Sequence, residues 1–83
     1  MTKEDKIKVL EVINGVSKEV IMQDVDWQSL FTFLYVKLIE DKDGVSYTSV
    51  YRGLEDFTFK IECPGREYLY ENATKRFSRT VVK

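Results

Sequence analysis

The segment FTFKIEC, residues 57–63, alternates strictly between apolar and polar side chains. Such alternation places one set of side chains on a buried face and the other on a solvated face, so it predicts a half-buried β-strand. The apolar set is Phe57, Phe59, Ile61 and Cys63. The four residues from Cys63 to Arg66 carry Pro and Gly at the central positions of a type II turn. We therefore expect the chain to reverse there into a second, antiparallel strand.

The C-terminal segment, residues 66–83, is predicted to form a further hairpin because Tyr, Thr, Phe and Val dominate it. A three-residue loop over 72–74 would place Leu69 opposite Phe77, between the charge pairs Glu71–Lys75 and Glu67–Arg79. The other face would then gather Arg66, Tyr68, Tyr70, Arg76, Ser78 and Thr80. A helix is the alternative, since Glu71 and Lys75 are also spaced i, i+4.

Between residues 26 and 56 we expect more strands. The run from Trp27 to Ile39 is rich in aromatic and branched residues, and Asp43-Gly44 marks a turn before VSYTSVYR. The predicted strand over 27–39 is apolar on both faces, and one of these faces carries Phe31, Phe33 and Tyr35. Either the sheet curls toward a half-barrel, or this aromatic face meets a protein partner or a second copy of the chain.

The N-terminal segment, residues 1–22, gives two conflicting signals. Asn14-Gly15 between apolar runs is typical of a β-hairpin. Thr2 and Asp5 have the spacing of a helix capping box. A stripe of valines and an isoleucine at helical spacing also favours a helix, comprising Val9, Val12, Ile13, Val16 and Val20. We predict a helix over about 3–13 that continues or restarts to residue 22, with Gly15 as a C-terminal cap.

These elements predict a single α+β domain over residues 1–83. In this prediction, residues 1–22 form a helical segment that packs on an antiparallel meander of four or five strands formed by residues 26–83.

Composition argues against most catalytic classes. The chain has no histidine, so Ser-His and Cys-His nucleophile systems and histidine-ligated metals are excluded. It has a single cysteine, and it contains neither of the glycine-rich phosphate-binding motifs G-x-x-x-x-G-K and G-x-G-x-x-G. We expect no enzyme activity, no metal and no cofactor.

The net charge, the single cysteine and the N-terminal sequence indicate the compartment. The net charge is −1, so no overall field attracts the chain to nucleic acid or to a membrane. A lone cysteine fits a reducing compartment, and the charged N-terminus does not resemble a secretory signal. We expect a cytoplasmic protein that neither enters a membrane nor acts on a small-molecule substrate.

Two functions remain. The eleven aromatic residues favour a binding module that acts on a protein target or on itself, such as an inhibitor, an antitoxin-like protein or an adaptor. The scarcity of alanine and proline is typical of AT-rich genomes, including those of many bacteriophages, which encode short accessory proteins. The alternative is a module for RNA or single-stranded nucleic acid, whose ligand face would be Arg66, Tyr68, Tyr70 and Arg76.

Overall fold

The computed structural model describes residues 1–39 and 44–82. The helices are α1 (Lys3–Ile13) and α2 (Trp27–Leu34), and a π-helical segment (Tyr35–Ile39) extends α2. The strands are β1 (Glu19–Ile21), β2 (Ser46–Tyr51), β3 (Phe57–Cys63), β4 (Arg66–Glu71) and β5 (Arg76–Val81). They form one antiparallel sheet in the order β1-β5-β4-β3-β2. The predicted α+β fold with a strand meander is confirmed, and the sheet is open rather than curled into a half-barrel.

Helix α1 begins and ends as the sequence predicts. The Thr2 hydroxyl accepts a hydrogen bond from the Asp5 N–H, and the Asp5 carboxylate accepts one from the Thr2 N–H. The Thr2 hydroxyl also donates to the Asp5 carboxylate at 2.7 Å, and this bond, more than the one from the Thr2 N–H, lowers the pKa of the Asp5 carboxyl. At the other end, Gly15 has a φ of +79° and the Val16 N–H donates to the Glu11 carbonyl. This is a Schellman ending, in which glycine adopts the left-handed conformation that other residues resist.

The sequence prediction is wrong on both sides of residue 26. Glu19–Ile21 is an edge strand paired with β5, whereas a helix restarting to residue 22 was expected. Residues 27–39 are helical, whereas a two-sided apolar strand was expected. Leu30, Leu34 and Leu38 are buried at i, i+4 and i+8, which is the spacing of one helical stripe. The physical reason is that α1 cannot cover the whole apolar face of the sheet, and α2 buries the remainder.

One face of the sheet and one face of each helix form a single core. The buried strand residues are Phe57, Phe59, Ile61, Cys63, Tyr68, Tyr70 and Phe77. They pack with Val9 and Val12 of α1 and with the leucine stripe of α2. Because both helices lie against this face, the opposite face of the sheet is not covered by any described helix.

The β3–β4 turn is confirmed and the β4–β5 hairpin differs by one residue. Gly65 has a φ of +81°, as the type II turn requires. In β4–β5, Tyr70 faces Phe77 and Glu71 faces Arg76, so the loop comprises residues 72–75. The expected pairs Leu69–Phe77, Glu71–Lys75 and Glu67–Arg79 are therefore wrong. The extra loop residue, Lys75, has a φ of +56°. The expected turn at Asp43-Gly44 includes residue 43, which lies outside the described residues.

Candidate interaction surface

The four residues of the expected nucleic-acid face do not share a face. The shifted register places Arg76 on the uncovered side of the sheet, whereas Tyr68 and Tyr70 lie in the core with 1% and 0% exposure. A base can stack only on an exposed ring. The aromatic platform predicted from the sequence is therefore absent from the described surface, because a one-residue register change exchanges the two faces of a strand.

Tyr68 instead connects β4 with the end of α1. Its hydroxyl accepts a hydrogen bond from Arg66 Nε at 2.8 Å and donates to the Ile13 carbonyl at 3.0 Å. That carbonyl belongs to the last turn of the helix, where no intrahelical donor is available. The bond to Tyr68 is the largest cause of the raised pKa of the Arg66 guanidinium. This chain of contacts has a structural role.

Tyr70 belongs to a second buried polar cluster, centred on Asn72. The Tyr70 hydroxyl donates to Asn72 Oδ1 at 3.1 Å, and Lys75 Nζ donates to the same oxygen at 2.8 Å. Asn72 Nδ2 donates to the Glu55 carbonyl at 2.9 Å. Burial, with a smaller contribution from the Asp26 charge, raises the pKa of Tyr70. The cluster ties the β4–β5 loop to the segment between β2 and β3.

Arg76 lies on the uncovered face between two carboxylates. It forms an ion pair with Glu71 and a longer one with Glu19 at 3.6 Å, and the Glu71 contact is the main reason that the pKa of Arg76 is raised. Lys60, on the same face, contacts Glu62 at 3.2 Å and Glu67 at 3.9 Å. Two cations against four carboxylates leave the strand residues of this face with a charge of −2. A polyanion is repelled by such a surface.

The expected aromatic partner face is divided by the helical geometry of residues 27–39. Phe31 turns toward the sheet, with its ring centroid 4.6 Å from that of Tyr47 and 5.5 Å from that of Phe59. Tyr35, one helical turn later, is 47% exposed beside it. Phe33 points to the other flank of α2, beneath the Lys37 ammonium group. Phe31 and Tyr35 therefore adjoin β2, and Phe33 adjoins α1.

A groove of about 680 Å³ runs between the start of α1 and the outer side of α2. Phe33 and Val36 supply apolar surface, and Val36 is 47% exposed. Lys6, Lys37 and Asp26 supply charge at this groove. The remaining lining residues are Met1, Gln28, Ser29 and Thr32.

The sequence prediction missed this groove because it depends on α2 being a helix. A signal for α2 was available: Asp26 precedes the leucine stripe at the N-cap position, where aspartate is favoured.

Cys63 lies in the core at 8% exposure, as its alternating strand indicates. Burial raises the pKa of its thiol, which the nearby Arg66 charge opposes only in part. The thiol is therefore protonated at neutral pH and poorly nucleophilic.

Comparison with known proteins adds no assignment: no protein-family model, curated protein or solved structure matches this chain significantly. Within residues 1–39 and 44–82, none of the helices has the length and apolar character needed to span a membrane.

Proposed function

We propose that this chain is a small non-enzymatic binding module that engages a protein partner through the groove between α1 and α2. The observation that carries this proposal is the apolar surface of the half-exposed Val36 and the partly buried Phe33 beside two lysines. Exposed apolar surface rimmed by polar groups is typical of protein-interaction sites. An inhibitor, an antitoxin-like protein or an adaptor would act in this way.

The charges of the groove indicate the chemistry of the partner segment. Lys6 and Lys37 outnumber Asp26, so the groove carries a local positive charge. The Lys37 ammonium group lies 5.8 Å from the centroid of the Phe33 ring. An apolar side chain that packs on Phe33, followed by a carboxylate that pairs with Lys37, would complement both features. We therefore expect a partner segment that combines an apolar anchor with an acidic residue.

The test is co-purification of the tagged chain, at its endogenous level, from the cells that encode it. Val36→Asp places a carboxylate on the apolar wall of the groove and should abolish recovery of the partner. Val16→Asp is the matched control, because Val16 is 77% exposed and is not part of the groove. Both variants should unfold at the same temperature as the wild type. Recovery of the wild type only as a free protein would overturn the proposal, as would a partner that Val36→Asp retains.

A further inference from the structure

Strand β2 is an edge strand whose outward hydrogen-bonding groups can be identified from its register. The Arg52 N–H donates to the Asp56 carbonyl at 2.9 Å, which continues the pairing of Val50 with Thr58. Hydrogen-bonded pairs alternate along an antiparallel ladder. Val50, Thr48 and Ser46 therefore direct their backbone groups toward β3. The backbone groups of Tyr47, Ser49 and Tyr51 point away from the sheet.

This edge lacks the features that prevent edge-to-edge pairing. The strand SYTSVY contains no charged residue and no proline, and it has no bulge in its register with β3. The opposite edge, β1, is only three residues long and carries Glu19 after Lys18. Short length and charge are the usual protections of an edge strand, so β1 is protected and β2 is not.

We propose that β2 pairs with β2 of a second copy of this chain, in an antiparallel dimer whose twofold axis passes through Ser49. The segment Tyr47-Thr48-Ser49-Val50-Tyr51 has the same pattern in both directions: aromatic, β-branched, small, β-branched, aromatic. Antiparallel pairing about Ser49 therefore sets Tyr47 opposite Tyr51 of the second copy and Thr48 opposite Val50 of the second copy. Aromatic and β-branched cross-strand pairs of this kind are stabilising.

Both geometry and charge favour a second copy as the occupant. Tyr47, Ser49 and Tyr51 are the residues whose backbone groups point away from the sheet. In this register they pair with the same residues of the second copy, so the two strands can exchange about six backbone hydrogen bonds. Paired residues are an even number of positions apart, which keeps the core faces of both copies on one side of a continuous sheet. Because the strand is uncharged, no like charges oppose each other across the axis.

The packing around the two tyrosines supports the same conclusion. Tyr47 contacts Phe31 and Tyr51 lies 5.5 Å from Phe57, yet their side chains remain 42% and 61% exposed. The cluster of aromatic side chains in the core therefore extends to the edge strand, where its last members, Tyr47 and Tyr51, are partly exposed. Pairing of the two β2 strands would form two tyrosine pairs, one on each side of the axis, and so extend that core into the second copy. This inference does not depend on the groove between α1 and α2.

Sedimentation velocity of charge variants over a wide range of protein concentrations tests the dimer and its register. Thr48→Glu/Val50→Glu sets carboxylates opposite each other twice across the axis and should weaken the dimer at least tenfold. Thr48→Glu/Val50→Lys sets opposite charges there and should restore it, with an affinity that falls as salt is added. Within the chain, residue 48 faces Lys60, so a glutamate at this position is tolerated. The matched control, Val16→Glu/Val82→Glu, adds the same charge at exposed positions away from β2 and should remain dimeric.

A cross-linking experiment tests the twofold axis directly. Ser49→Cys should form an intermolecular disulfide on mild oxidation, since paired residues at the axis have Cα atoms about 5.5 Å apart. Ser46→Cys should not, because Ser46 would face Arg52 of the second copy. A wild type that is monomeric at all concentrations would overturn the proposal. So would failure of the opposite-charge variant to restore the dimer, or equal cross-linking of the two cysteine variants.

Discussion

Replacement of Asn72 by alanine should destabilise the fold far more than a loop substitution normally does. Asn72 is 3% exposed and its side chain is hydrogen-bonded to four groups: the Tyr70 hydroxyl, the Lys75 ammonium, and the carbonyl and carboxylate of Glu55. Lys75 is half-buried and can turn to water, so its loss contributes little. The bond to Glu55 is worth about 1 kcal/mol, and the Tyr70 hydroxyl left without a partner at 0% exposure costs about 1–3 kcal/mol.

The expected loss for Asn72→Ala is therefore about 2–4 kcal/mol, or a fall of about 10–25 °C in Tm for a domain of this size. Urea unfolding can be followed by the fluorescence of Trp27, the only tryptophan, which packs against Phe57 with ring centroids 5.0 Å apart. Thr74→Ala, an exposed change in the same loop, is the control and should stay within about 0.5 kcal/mol of the wild type.

A double variant isolates the cause. Tyr70→Phe alone should cost about 1 kcal/mol, because it removes one hydrogen bond and leaves Asn72 Oδ1 bound to Lys75. In Tyr70→Phe/Asn72→Ala no hydroxyl is left without a partner, so the double variant should be more stable than Asn72→Ala. The reasoning is refuted if the free energy of unfolding of Asn72→Ala lies within about 0.5 kcal/mol of the wild-type value. It is also refuted if the loss in the double variant equals the sum of the losses in Tyr70→Phe and Asn72→Ala.

Two further predictions concern Gly15 and the alkaline limb of stability. Gly15→Ala should destabilise by about 1–2 kcal/mol because the residue has a φ of +79°; the new Cβ would also lie 2.5 Å from Arg79 Nη1, but this end of a flexible side chain can move away. In thermal unfolding, Gly15→Ala should cost nearly the same stability when it is added to Arg79→Ala, since the backbone strain remains. If Gly15→Ala costs no stability in that background, the contact with Arg79 and not the backbone strain is the cause. Burial raises the pKa of Tyr70 in the folded state, so its contribution to stability is intact below the unfolded value near 10 and is lost as the pH rises through the folded value. Denaturation measured above pH 10 should therefore show a shallower decline for Tyr70→Phe than for the wild type, and identical slopes would contradict this assignment.

The local chemistry of several segments was sufficient to predict their structure. The alternation of residues 57–63 requires only that one face be apolar, and the Pro64-Gly65 pair supplies the dihedral angles of its turn. The capping box at Thr2 and the ending at Gly15 are equally local, because each depends on hydrogen bonds between residues a few positions apart. These signals were enough to predict the α+β fold with its strand meander.

The register of β4–β5 was not predictable in this way, and the local signals of the helix over residues 27–39, an N-cap aspartate and the leucine stripe, competed with signals for a strand. The aromatic residues near Trp27 favour a strand, yet the sheet presents more apolar surface than α1 can cover, and burial of that surface outweighs local propensity. The register of β4–β5 depends on the four-residue loop, in which Lys75 adopts a positive φ. The Asn72 side chain ties this loop to Tyr70 and to Glu55, which is distant in the sequence.

That single extra loop residue removes the nucleic-acid face expected from the sequence. It buries Tyr70 opposite Phe77 and moves Arg76 to the acidic face, where Glu19 and Glu71 pair with it. The sequence by itself determined the half-buried strand over residues 57–63, the turn at Pro64-Gly65 and both ends of α1. Only the tertiary structure decided which side chains remain accessible, because accessibility depends on the contacts that cover each face.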